Sequence, residues 1–189
     1  MKYDYSDWND RSGTIPVKWQ AKDYENLPWY RHPDVGEKGF TTDDKNLDIY
    51  GHQVGCYIPK FEKVGKGISI PDETKNVFDH VLNHFDLDDL VYTFAKYKPS
   101  MILPWHNDNY PTYAKNKNAK VEEIVRIMIF LHDPAPGHQL WIRDKYCTGK
   151  AGTWYSWQGS TKHMAANLGE IDRFVLQITG KIKNKKSSG

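Results

Sequence analysis

His106 and Asp108 lie two residues apart, so in an extended segment an imidazole and a carboxylate leave the chain on one face, within reach of one small ion. A third donor is available from His163, which follows the turn-like Gln158-Gly159-Ser160 on a later apolar segment. Two histidines and a carboxylate on one face of an octahedral divalent ion leave three positions open for other ligands. The spacing is weak evidence when taken alone. A second His-x-Asp occurs at His84-Phe85-Asp86, at the end of an expected helix where i and i+2 do not share a face. A solvated helix terminus accounts for that one, and by themselves His106 and Asp108 read more readily as an ordinary polar pair than as ligands.

Positive charge adds to the case. Arg173 follows His163 by ten residues and opens the segment Arg-Phe-Val-Leu-Gln-Ile-Thr-Gly. From there it could sit deep in a barrel and pair bidentately with a dicarboxylate whose other end reaches the metal. A structural ion pair explains Arg173 equally well. Arg126 heads Ile127-Met128-Ile129-Phe130-Leu131 and is its rival or helper. A cation in surroundings this apolar needs a partner, because unpaired burial is costly. Trp105, Tyr110, Tyr113, Trp141, Trp154 and Trp157 are candidates for pocket walls, with plain core packing as the competing reading for each. His138 is a candidate to orient a substrate, although a satisfied structural histidine is the preferred reading. His132-Asp133, before Pro134, Pro136 and Gly137, reads as a turn.

The elements that must position these residues are short strands. Apolar segments are expected to form strands near 90–98, 101–107, 124–131, 138–143, 152–157, 161–165 and 173–179, an antiparallel sandwich or barrel. The last has the cleanest pattern: Arg173, Val175, Gln177 and Thr179 on one face, Phe174, Leu176 and Ile178 on the other. A mostly polar face suggests an enclosed ligand site, and the apolar one should pack under a helix. The helix expected over 71–86 opens with Pro71-Asp72-Glu73 and carries Val77, Phe78, Val81, Leu82 and Phe85 at three- and four-residue spacings. Residues 108–123 read as a long loop, and Gln53 to Ile58 as a strand ending at Pro59, with a turn at Gly65 and Gly67. Residues 1–45 read as an irregular wrapping segment with at most one short helix, anchored by Trp8, Trp19, Trp29 and Tyr30.

With this organisation in view, the resemblance to the 2-oxoglutarate/Fe(II) oxygenase superfamily is plain. It rests on His106-x-Asp108, a gap of 54 residues to His163, then Arg173 and the ending Arg-Phe-Val-Leu-Gln-Ile-Thr-Gly. Gly152-Thr-Trp-Tyr-Ser-Trp157 and His163-Met-Ala-Ala-Asn-Leu-Gly169 also look like the stretches around the distal histidine in small phage and bacterial members, so that the likeness spans about 90–180. The resemblance implies a double-stranded β-helix, or jelly-roll, core with flanking helices. It implies Fe(II) held by His106, Asp108 and His163, with 2-oxoglutarate and O2 as cosubstrates. Arg173 would start the eighth core strand and take the distal carboxylate of 2-oxoglutarate. Arg126 falls where some members, including the aspartyl/asparaginyl hydroxylases, place another arginine near the cosubstrate. Asn167 would touch cosubstrate or substrate, unless it only forms a turn with Gly169. Retention of Asp108 favours hydroxylation over halogenation. The implied reaction hydroxylates an unactivated C–H bond and releases succinate and carbon dioxide, while the small core, rather than the resemblance, points to an amino acid, peptide or protein side chain as substrate.

Bulk properties narrow the setting. A chain of 189 residues, 39% hydrophobic, suits one domain, with 1–60 as the wrapping segment, 90–180 as the core and 181–189 as a basic tail. Twenty-six basic against 24 acidic residues argue against a nucleic-acid partner by charge. No apolar run reaches the roughly 18 to 20 residues that cross a bilayer. Cys56 and Cys147 offer no disulfide framework, and two reduced thiols in a cytoplasmic protein are the default. Monomer and homodimer both remain open. Two other readings compete: a cupin-like metalloenzyme that does not use 2-oxoglutarate, for which Arg173 is the discriminator, and a non-catalytic carbohydrate-binding jelly roll, which exposed aromatics across 1–45 would support.

Overall fold

Alternating apolar segments after residue 86 pair into two facing antiparallel sheets, a double-stranded β-helix or jelly roll. The computed structural model describes residues 8–31, 53–59, 63–64, 67–68 and 72–183. In chain order the strands are β1 (Ser12–Thr14), β2 (Trp29–Arg31), β3 (Gln53–Val54), β4 (Tyr57–Pro59), β5 (Lys63–Val64) and β6 (Gly67–Ile68). Helix α1 (Asp72–Leu82) follows, then β7 (Leu87–Tyr97), β8 (Met101–His106), helix α2 (Pro111–Lys117), β9 (Ile124–Phe130) and β10 (His138–Ile142). The chain closes with β11 (Lys145–Tyr146), β12 (Thr153–Gln158), β13 (His163–Asn167) and β14 (Arg173–Ile182). The large sheet runs β1-β12-β9-β14-β7-β4-β2 and the small one β11-β10-β13-β8-β3, in which β3 pairs parallel to β8.

The period of two along β14 divides the interior. Phe174, Leu176 and Ile178 join Phe94, Ile127, Ile129, Trp154 and the α1 residues Phe78 and Val81 in a core on the outer face of the large sheet. Val175 belongs to the second core, between the sheets, with Tyr97, Met101, Met128, Leu140 and Trp157. The N-terminal segment completes the outer core: Trp19 stacks on Phe78 at 5.3 Å and its indole N–H donates to Leu131 O at 2.8 Å. Trp8 is buried there too, and Trp29 packs on Phe174 at 5.6 Å, whereas the Tyr30 side chain is exposed.

Several sequence expectations need correction. Residues 108–123 are not one loop, for they contain α2 and a 3-10 turn over Val121–Glu123. Pro111 at the first helical position presets the backbone, while the absence of an apolar stripe leaves this helix without a periodic signal. Helix α1 stops at Leu82 rather than near 86. The strand expected over 53–58 is split into β3 and β4 at Gly55, whose φ of +131° suits glycine. The N-terminal segment is more regular than expected. Its β1 edges the large sheet beside β12, and Ser156 N–H donates to Arg11 O and Ser156 Oγ–H to Trp8 O. Lys181 and Lys183 do not begin a solvated tail: Lys181 is part of β14 and lies 3.8 Å from Glu123, and Lys183 pairs with Asp86. Residues 32–52, Gly65 and 184–189 lie outside the described residues. No helix among the described residues is long and apolar enough to cross a membrane.

Candidate metal centre

His106 ends β8 and His163 begins β13, and the two residues are cross-strand partners. The pairing is irregular in a useful way. His163 faces His106 but Ala165 faces Leu103, so β8 carries one extra residue around Pro104 and Trp105. Proline supplies no N–H for the ladder, which suits it to such a bulge. The extra residue turns His106 onto the inner side, where Leu103 already points, and leaves Trp105 outside at 39% exposure.

Both imidazoles are oriented by backbone carbonyls. His106 Nδ1–H donates to Pro104 O at 2.6 Å and His163 Nδ1–H to Thr161 O at 2.9 Å. A carbonyl only accepts, so each neutral ring must carry its proton on Nδ1 and present a lone pair at Nε2. Those Nε2 atoms face the two oxygens of Asp108, at 3.6 Å from His106 and 3.7 Å from His163. One donor atom from each of the three residues lies within 4.8 Å of the others, a spread that one ion can span. Burial lowers the His163 imidazolium to about 4, which keeps the ring neutral at physiological pH. Burial works against the Asp108 charge, yet contact with His106 and the nearby Arg126 guanidinium hold its carboxyl well below the usual range. A neutral His163 imidazole and an ionised Asp108 carboxylate are protonation states that a divalent cation requires.

The triad opens onto a cleft of about 630 Å³ between the sheets. Tyr110, Tyr113, Arg126 and Trp157 line it, the last with its ring 4.6 Å from that of His163. Arg126 Nη2 lies 3.5 Å from Asp108 Oδ2, and its guanidinium stacks 5.1 Å from the Tyr110 ring centre. Tyr110 holds this place from a left-handed backbone, φ +47°, a strained choice for a bulky residue.

Other sequence candidates lie elsewhere. Trp154 is three residues from Trp157 on one strand, so it takes the opposite face and packs edge-on to Phe85 at 5.2 Å in the outer core. Trp141 stands on the outer side of β10 against Tyr146, 5.1 Å between rings. His138 pairs with Asn167 while Ile142 pairs with His163, so it sits at the far end of the small sheet. It accepts the Ala135 N–H at Nδ1 (3.2 Å) and donates from Nε2 to Ile171 O (3.1 Å). Asn167 donates to Tyr97 O and Ile171 O and accepts the Gly169 N–H, which commits its amide to a turn. His132 accepts the Phe174 N–H at 3.0 Å, tying the 131–138 turn to β14.

Arg173 is 3% exposed on the inner face of β14. Its guanidinium lies 5.0 Å from the Tyr97 ring centre, Nη2 donates to Met128 Sδ at 3.6 Å, and Nη1 is buried without a partner. Tyr97 and Met128 line the cleft and stand between it and Arg173. Tyr97 Oη, Tyr110 Oη and Trp157 Nε1 are also buried without hydrogen-bond partners. Four buried donors around one interior lack an acceptor, and an acceptor-rich ligand would supply what each is missing. His106, Asp108 and His163 therefore fit a divalent ion, and Arg173 is a buried cation with an N–H left to satisfy beside them.

Sequence reasoning missed Cys56, Tyr97, Thr93 and Met128 in the cleft wall. Gln177 and Thr179 also line it, and their signal was present in the polar face of β14. The thiol of Cys56 is pushed up to about 12 by burial, so it remains protonated. Both cysteines are free and buried.

No family model matches the sequence, and no curated protein matches it. Solved structures do. A predicted oxalate decarboxylase from Thermotoga maritima aligns with TM-score 0.44 and 11% identity, over 84% of this chain and 96% of that one. KdgF from a Halomonas species aligns with TM-score 0.36 and 14% identity, over 51% and 73%. A cupin-2 domain containing protein from Shewanella frigidimarina aligns with TM-score 0.33 and 14% identity, over 55% and 92%.

Proposed function

We propose that the protein is an Fe(II)- and 2-oxoglutarate-dependent dioxygenase that hydroxylates a C–H bond of a substrate bound in the cleft. The observation that carries this reading is the pairing of two features in one interior. A ligand triad of two imidazoles and a carboxylate stands at the cleft, and a fully buried arginine with an unsatisfied N–H stands behind its wall. A structural triad alone would not need the arginine, and an arginine kept for stability would have found a carboxylate among its neighbours.

When bound, the metal and cosubstrate supply the oxidising power that activates O2. The chain supplies the rest. His106, Asp108 and His163 would hold the ion, their imidazoles oriented by the Pro104 and Thr161 carbonyls. Arg173 would hold the distal carboxylate of the cosubstrate, its weak N–H···S contact with Met128 giving way to charge-assisted hydrogen bonds. The Trp157 ring covers His163 and keeps water from that side of the triad. Arg126 and Tyr110 line the cleft beside Asp108.

The test is anaerobic titration of the Fe(II)-loaded protein with 2-oxoglutarate. A weak visible charge-transfer band is expected in the wild type and absent in His106→Ala, with Arg173→Ala weakening cosubstrate binding by about a hundredfold. Bound iron without a band would instead favour a cupin-like metalloenzyme that does not use 2-oxoglutarate. The position of Arg173 outside the cleft lining is the observation on that side. The carbohydrate-binding alternative has little support among the described residues of 1–45, where Tyr30 is exposed but Trp8, Trp19 and Tyr24 are buried.

A further inference from the structure

Arg126 is the one permanent cation, and Asp108 the one carboxylate, among the described residues that line the cleft. Their contact is a poor one. At 3.5 Å it exceeds the roughly 2.7–2.9 Å of a charge-assisted hydrogen bond, and Asp108 faces both imidazoles as well. A metal ion at the triad would claim that carboxylate and repel the guanidinium beside it, leaving Arg126 in need of another anion. Yet Arg126 is not free to turn away. The Tyr110 ring, set in a left-handed backbone, stacks on it, and β12 and β14 flank it through the pairs Trp157–Arg126 and Thr179–Arg126.

Counting charge shows what is missing. This count rests on the proposed function. A divalent ion, Arg126 and Arg173 bring four positive charges to the interior, Asp108 removes one, and a dicarboxylate cosubstrate removes two. One positive charge remains in a site poorly reached by water, and a substrate bearing a single negative charge would neutralise it. The neighbours of Arg126 match such a group. Thr179 stands directly beside it and Gln177 two residues further along the same face, both neutral hydrogen-bonding side chains that line the cleft. A cleft of about 630 Å³ suits a metabolite of amino-acid size with space for the cosubstrate.

We infer that the substrate is a small organic carboxylate, such as an amino acid with a free carboxyl end, and that Arg126 holds that carboxylate with Thr179 alongside. Arg173 and Arg126 thus divide the work. The buried arginine behind the cleft receives the cosubstrate, and the arginine in the cleft wall receives the substrate. A bidentate grip by Arg126 fixes one end of the substrate and determines which carbon lies nearest the metal.

The experiment uses the full chain loaded anaerobically with Fe(II) and 2-oxoglutarate. Twenty N-acetyl-L-amino acids and their carboxamides are titrated by calorimetry, and the charge-transfer band is recorded in the same samples. The expected result is at least one acid that binds more than about tenfold tighter than its own carboxamide. Arg126→Gln should erase that preference and leave the cosubstrate band in place. Arg126→Lys, which keeps the charge but not the fork, should retain part of the preference and serves alone if the glutamine variant does not fold. Equal binding of every acid and its carboxamide overturns the inference, as does a preference that survives Arg126→Gln. Loss of the band in Arg126→Gln overturns it too, by assigning Arg126 to the cosubstrate. If the wild type shows no band, the cosubstrate reading fails by itself. The acid-against-carboxamide comparison is then made on the Zn(II)-loaded protein, where the same preference and its loss in Arg126→Gln still decide the role of Arg126.

Discussion

The interior holds two pairs of histidines, and they differ in what the backbone leaves over. At the far end, His132 and His138 lie 5.4 Å apart, ring to ring, and each commits both nitrogens to main-chain groups. At the cleft, His106 and His163 lie 4.2 Å apart, and each gives only Nδ1 to a carbonyl while Nε2 faces Asp108. The chemical potential of an imidazole is therefore set by bookkeeping of its second nitrogen. Where the backbone consumes both, histidine is a structural cross-link. Where it consumes one and a carboxylate stands opposite, histidine is a ligand in waiting.

The largest effect should come from removing a ligand. His163→Ala or Asp108→Ala is expected to weaken Zn(II) or Fe(II) binding by more than about a hundredfold, against a change within about threefold for His138→Ala, measured by calorimetry. Equal losses at both ends would erase the distinction. Next in size, His138→Ala should cost about 2–3 kcal/mol in urea unfolding of the metal-free protein, because the buried Ala135 N–H and Ile171 C=O both lose a partner. Arg173→Met should act with the opposite sign. Replacing a buried, unpaired cation with an apolar side chain is expected to stabilise the metal-free protein by about 1–2 kcal/mol while abolishing the cosubstrate band.

The smallest effect is pH dependence at the far end. Burial lowers the pKa of both His132 and His138 from the ordinary 6.5. The unfolded chain therefore binds these protons more readily, so the associated stability is complete above the ordinary value and is lost as pH falls below it. Asp133, Glu25 and Arg173 are the charges that act on His132, and Arg173 and His132 those on His138. The unfolding midpoint of the metal-free protein should fall between pH 7.5 and pH 5, and by less in His132→Gln, whose amide can accept the Phe174 N–H without titrating. An identical fall in both proteins would remove His132 from the account.

The strands of the jelly roll were legible because their residues alternate, and β14 most of all, where polar and apolar faces separate cleanly. The residue types of the triad were legible too. Which histidines keep an open nitrogen was not, since the answer lies in carbonyls supplied by distant turns. Helix α2 escaped notice because it buries no apolar stripe. On β12, apolar residues face inward on both sides, so hydrophobicity could not tell Trp154 from Trp157, although their odd separation already placed them on opposite faces. The bulge in β8 had one sign, Pro104, but its effect on His106 depends on register with β13.

Strand β1 has a consequence for handling the protein. It lies against β12, whose Trp154, Tyr155 and Trp157 form an apolar run in β conformation. Without residues 8–14 that strand would present open amide and carbonyl groups to solvent, a template for pairing with another molecule. Shortening the chain past Trp8 is therefore a route to aggregation rather than to a smaller active fragment. Tags or fusions are better joined ahead of that segment than put in its place.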